Sequence, residues 1–114
     1  MDLNFKKVEN VILLYPLGRF DVNFSADFEK EINKLIKNES TNHFIFNLKD
    51  VEYISSSGLG VFMSIKRILK AEERKLVLCN MNSAVRTIFN IVKLNDMFDI
   101  FNSENEAIEF LKEI

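Results

Sequence analysis

Three short runs, Val11-Ile12-Leu13-Leu14-Tyr15, Phe44-Ile45-Phe46-Asn47-Leu48 and Lys75-Leu76-Val77-Leu78-Cys79, are apolar almost without interruption. A strand with one wet face alternates polar and apolar residues; a strand covered on both faces does not. Between the runs, apolar residues recur at helical spacing. Phe24, Phe28, Ile32, Leu35 and Ile36 form one stripe, with Asp27, Lys30, Lys34 and Lys37 turned to water. Val61, Phe62, Ile65, Ile68 and Leu69 form a second, and Val85, Ile88, Phe89 and Val92 a third. Buried strands separated by such helices pair in parallel through right-handed crossovers. The expected fold is α/β, with a mixed, mainly parallel sheet of four to five strands and helices packed against it.

The connecting segments fill in the rest. Leu3 to Lys7 reads as a short edge strand, followed by a turn at Glu9-Asn10. Pro16 lacks an N–H and ends the pairing of the first buried strand. Leu17 to Asp21 reads as a loop, with Asn23 or Ser25 capping the first helix, and Lys49, Asp50 and Glu52 as a polar link. Asn82 or Ser83 caps the third helix, Leu94 to Met97 is a connection, and Phe98 to Phe101 is a short strand. Ser103-Glu104-Asn105-Glu106 matches a capping box, opening a last helix that presents Ala107, Phe110, Leu111 and Ile114.

Between the second buried strand and its helix lies Ile54-Ser55-Ser56-Ser57-Gly58-Leu59-Gly60-Val61. A serine oxygen at a helix start accepts a hydrogen bond from an unpaired first-turn N–H. Gly58 and Gly60 are poor helix formers, so a helix that opens on them implies the close approach of another backbone or of a partner. The helix end favours negative charge, so one of these serines can carry a phosphate without breaking the fold. On a helical wheel Leu59 and Met63 fall nearly opposite the core stripe, beside Lys66 and Lys70. Two apolar residues one turn apart beside a serine cluster read either as a partner-binding surface or as a face covered by a neighbouring loop or helix.

Other chemistries find little support. The 114 residues, 47% of them hydrophobic, suffice for one core and are read as a single domain spanning residues 1–114. A net charge of -2 with both signs interspersed gives no electrostatic case for nucleic acid. The start, Met1-Asp2-Leu3-Asn4, is not a signal peptide and no apolar run has the length of a membrane span, so no membrane partner and a cytoplasmic location are expected. The single histidine, His43, sits at a strand end, and Cys79, the single cysteine, lies inside an apolar run. Neither builds a metal site. No phosphate-cradling glycine loop occurs, and nothing fixes Asp21, Asp50 or Glu52 as an acid–base pair. No catalytic residue, metal or cofactor is expected, and the chain reads as a non-enzyme.

Ser55-Ser56-Ser57-Gly58-Leu59-Gly60 resembles the Asp-Ser-Ser/Thr-Gly-Leu-Gly signature of bacterial anti-sigma factor antagonists, the single-domain STAS proteins. Gly18-Arg19-Phe20-Asp21 is similar to the family's Gly-x-Leu/Ile-Asp, and Leu76 to Cys79, Ser83-Ala84-Val85 and Leu94 follow in family order. The likeness covers essentially the whole chain, so a free-standing antagonist without a transporter or sensor domain is expected. The resemblance implies a STAS-like fold and a phosphorylation-switched regulator. In it, an unphosphorylated antagonist binds an anti-sigma factor that is also a serine kinase and frees a sigma factor. Phosphorylation of the antagonist ends the binding, and a phosphatase of the PP2C type resets it. The acceptor position corresponds to Ser56, with Ser55 and Ser57 as alternatives because the triplet blurs the register; as a cap, Ser57 is preferred. Asp21, Ser57, Gly58, Leu59, Gly60, Met63 and Lys66 are the implied partner-binding residues. This sequence departs from the signature at Ser55, where the family has aspartate, and at Lys93, where it often has glycine before the leucine. The competing reading is a STAS scaffold or adaptor that is never phosphorylated.

Overall fold

A computed structural model describes residues 2–114. Its elements are β1 (Phe5–Val8), β2 (Val11–Leu14), β3 (Gly18–Phe20), α1 (Val22–Asn38), β4 (His43–Asn47), β5 (Val51–Ile54), α2 (Ser56–Ala71), β6 (Leu76–Cys79), α3 (Ser83–Ile91), β7 (Asp99–Phe101) and α4 (Glu104–Lys112). A short 3-10 turn, Asn95–Met97, joins α3 to β7.

The main sheet has five strands in the order β1-β2-β4-β6-β7. β1 and β2 form an antiparallel hairpin, and every other pairing in it is parallel. The three continuous apolar runs are its central strands, β2, β4 and β6. Their alternate residues separate two cores, because successive side chains on a strand point to opposite faces. Ile12, Leu14, Phe44, Phe46, Leu76 and Leu78 belong with α1, α2 and α3, while Val11, Leu13, Ile45, Val77 and Cys79 belong with Ala107 and Leu111 of α4. Phe20, Phe28, Phe46 and Phe62 meet edge to face in the larger core, the arrangement that aromatic quadrupoles favour.

Two segments read as non-strand form a second sheet. The loop expected over Leu17 to Asp21 contains β3, and the link expected through Lys49, Asp50 and Glu52 runs into β5. β3 and β5 pair in parallel, Arg19 with Tyr53 and Phe20 with Ile54. Strands this short and of mixed polarity exist because Phe20, Val51 and Ile54 are buried in the larger core, a tertiary effect. Asn82 fixes the ribbon from the other side. Its Oδ1 accepts the Val85 N–H at 3.0 Å, capping α3, and its Nδ2 donates to the Val51 carbonyl at 2.6 Å.

Two helices end in left-handed residues that are not glycine. At α2, Glu73 has φ 59°, with its N–H on the Lys70 carbonyl and the Arg74 N–H on that of Leu69. At α3, Lys93 has φ 58°, with the matching bonds from Lys93 to Asn90 and from Leu94 to Phe89. Both are Schellman endings. The departure at Lys93 therefore bears on a helix end. Arg74 follows directly and is buried; its guanidinium donates to the carbonyls of Asn42, Ile36 and Glu39 and pairs with Glu72. It clamps the carboxyl end of α1, where partial negative charge gathers, to the end of α2.

Candidate functional site

The pairing of β3 with β5 sets two helix starts side by side. The Ser55 N–H donates to the Phe20 carbonyl at 2.9 Å, continuing the ribbon by one bond before α2 begins. Asp21 and Ser55, the residues that follow the paired strands, are the two N-caps. Asp21 Oδ1 accepts the Phe24 N–H at 2.9 Å, and Ser55 Oγ accepts the Gly58 N–H at 3.2 Å. The caps expected at Asn23 or Ser25 and at Ser57 are thus corrected. Helix α1 starts at Val22 and α2 at Ser56, so Asn23 and Ser57 lie inside their helices and Ser25 is buried. A run of three serines offers equivalent oxygens. The end of the ribbon selects Ser55.

Because Ser55 turns inward to cap, Ser56 and Ser57 occupy the first two positions of α2, and both are exposed. Neither α1 nor α2 has an acidic residue in its first turn. The first-turn N–H groups and the helix dipole therefore leave a mildly positive end at Ser56.

The two glycines serve different ends. A Cβ on Gly58 would lie 2.9 Å from Ile54 Cγ2 and 2.9 Å from Phe20 Cβ, closer than packed carbons approach. Gly58 lets α2 pack directly on its own ribbon. A Cβ on Gly60 would meet nothing within 4 Å, and the residue is exposed. Nothing internal explains a glycine there.

The docking surface read over Leu59 and Met63 is corrected. Leu59 is 7% exposed and belongs to the larger core, and Met63 is half-buried against it. Further along that side of α2, Lys66 Nζ donates to the Met97 carbonyl in the connection from α3 to β7 and lies 5.4 Å from the Phe98 ring centroid. The core stripe of α2 is turned toward Leu59, and Ile68, expected in the stripe, is exposed. Lys66 is accordingly a tether between elements. The outward face of α2 carries Ser56, Ser57, Gly60 and Arg67.

Apolar residues that sequence reasoning passed over border this face. Val22 is 65% exposed at the first position of α1, and Tyr53 on β5 is partly exposed, with the Arg19 guanidinium 4.8 Å from its ring centroid. Val22 falls outside the apolar stripe of its own helix, and that is the signal by which it could have been found.

Elsewhere the titratable groups are structural. His43 Nδ1 accepts the Lys75 N–H at 3.0 Å, and burial, then the charges of Arg74 and Lys75, lower its pKa. Burial, then the charge of Glu104, pushes the Cys79 thiol up to about 12, which leaves it inert as a nucleophile. Among the described residues no group of three or more His, Cys, Asp or Glu side chains is placed to hold a metal ion. Among the same residues no helix is long and apolar enough to cross a membrane.

The family model described as the STAS domain matches residues 2–107. The anti-sigma-B factor antagonist of Bacillus subtilis is 34% identical over 101 residues, 88% of this chain and 90% of that protein. A crystal structure of a Thermotoga maritima protein superposes with a TM-score of 0.90 at 24% identity, over 96% of this chain and 94% of that one. The anti-sigma factor antagonist SpoIIAA in its unphosphorylated form gives 0.73 at 20% identity over 99% and 100%. The same Bacillus protein in its phosphorylated form gives 0.71 at 20% identity over 96% and 99%.

Proposed function

Since the chain belongs to the STAS domain family, among whose members the anti-sigma factor antagonists are its relatives, we propose that it binds an anti-sigma factor through the adjoining starts of α1 and α2. That partner is a serine kinase, and its phosphorylation of Ser56 ends the binding. The observation that carries this reading is the placement of Ser56. Its residue is exposed at the first turn of a helix while the neighbouring Ser55 is engaged as the cap.

The physics is local. A phosphoserine adds about -1.5 to -2 charge at neutral pH. The free N–H groups at the start of α2 tolerate that charge, so the fold need not change. A partner packed across Ser56, Ser57, Gly60 and Val22 would instead have to bury it unpaired, at a cost of several kcal/mol. Each 1.4 kcal/mol is tenfold in affinity, so one phosphate suffices for release. Asp21 contributes a fixed carboxylate at the same edge, suited to a basic group on the kinase. Gly60 leaves room for a partner backbone. The chain carries out no reaction of its own, needs no cofactor, and works in the cytoplasm, where a phosphatase of the PP2C type restores Ser56.

The test is incubation with the cognate anti-sigma kinase and ATP. A mass gain of one phosphate at Ser56, loss of binding on that gain, and loss of the gain in Ser56→Ala are expected. Phosphate appearing on Ser55 or Ser57 would reassign the acceptor. Binding indifferent to ATP and to Ser56→Asp would overturn the switch in favour of a constitutive adaptor, the role to which Ser55 in place of the family's aspartate points.

A further inference from the structure

We infer that Arg19 is the internal counter-ion of a phosphate on Ser56, moving to it from the face of Tyr53. The inference rests on the phosphorylation proposed above and adds a residue outside the signature stretch. Arg19 and Tyr53 stand opposite each other in the β3–β5 register, and the guanidinium is stacked 4.8 Å from the ring centroid. Its charge has no carboxylate partner among the ion pairs of the described residues, whose basic members are Lys7, Lys34, Arg74, Lys75 and Lys112. Ser56 lies three residues beyond Tyr53, at most ~10 Å along an extended chain. The extended side chains of an arginine and a phosphoserine together close that gap. Within the two ribbon strands and the helix starts that follow them, residues 18–22 and 51–57, the charged residues are Arg19, Asp21 and Glu52. Arg19 is the one cation of the three.

An exposed cation–π contact is weaker than a pair of charge-assisted hydrogen bonds from a guanidinium to a phosphate. Without phosphate, Arg19 therefore rests on Tyr53. With it, the planar fork turns to the dianion and offsets the repulsion from Asp21. The covalent change at Ser56 is thereby matched by a rearrangement on β3, and the partner loses both an uncharged serine and a free guanidinium.

The experiment installs phosphoserine at position 56 during translation, so that it does not depend on any kinase. The second ionisation of the phosphate is followed by 31P NMR in the wild-type sequence, in Arg19→Gln and in Arg19→Lys, together with the Arg19 Nε–H resonance. The phosphate pKa is expected to rise by about half a unit or more in Arg19→Gln, since an adjacent opposite charge favours the ionised form. Arg19→Lys should recover part of the shift, as a point charge without the fork. The Arg19 resonance should lose its ring-current shift on phosphorylation. Coincident 31P titration curves in wild type and Arg19→Gln, with an unmoved Arg19 resonance, overturn the inference. Such a result leaves the kinase reading untouched, because that reading stands or falls on binding and on the mass gain.

Discussion

Substituting Gly60 by alanine sets stability against binding. In the middle of a helix, glycine costs about 0.5–1 kcal/mol relative to alanine. The new methyl group meets nothing within 4 Å, so no packing penalty offsets that gain. For a domain near 100 residues, 1 kcal/mol moves Tm by about 4–8 °C, and Gly60→Ala should melt roughly 2–8 °C higher. Gly58→Ala is the internal control. Its methyl would collide with Ile54 and Phe20 at 2.9 Å, and overpacking of this kind costs about 1–3 kcal/mol, so the melting temperature should fall. Thermal and urea denaturation read the stabilities, and titration calorimetry against the anti-sigma factor reads the affinity. If a partner backbone lies against Gly60, the methyl that stabilises the free protein weakens the complex tenfold or more, about 1.4 kcal/mol. A stabilised Gly60→Ala with undiminished affinity refutes the docking argument. A destabilised one refutes the claim that the space is open.

Two further outcomes follow from the clamp and from the histidine. Arg74→Met leaves the carbonyls of Asn42, Ile36 and Glu39 without their donor and should cost on the order of 3 kcal/mol by urea denaturation; a loss under 1 kcal/mol would show that water replaces the guanidinium freely. His43 has a folded pKa below its unfolded value of 6.5, so the unfolded chain takes up the proton first as pH falls. Its contribution is fully present above pH 6.5 and declines as pH falls from there through the folded pKa; a His43→Gln variant should show a flatter stability profile in that window, and an unchanged slope would contradict the assignment.

The parts of the fold legible in the sequence are those whose signal is local. Val11 to Leu14, Phe44 to Asn47 and Leu76 to Cys79 announce buried strands because both of their faces are apolar. Asn82 and Ser103 are the caps that their positions suggest. At the start of α4, Ser103 Oγ accepts the Glu106 N–H and donates to the Glu106 carboxylate. The parts that escaped depend on partners distant in sequence. Gly18-Arg19-Phe20 and Val51-Glu52-Tyr53-Ile54 are too short and too polar to declare themselves; each is a strand because the other lies beside it. Leu59 looked exposed on a solitary helix because the larger core that takes it in is assembled from elements distant in sequence. At the candidate site the serines and glycines were legible. Which serine caps, and which glycine packs inward, required the ribbon.

The bond from the Ser55 amide to the Phe20 carbonyl joins segments separated by all of α1 and β4. During synthesis the first segment leaves the ribosome long before the second, and neither alone displays the paired helix starts. Docking on these paired helix starts, as proposed, would therefore have to await closure of the larger core, and an incomplete or damaged chain would not offer them. A partner of that kind would register only finished molecules.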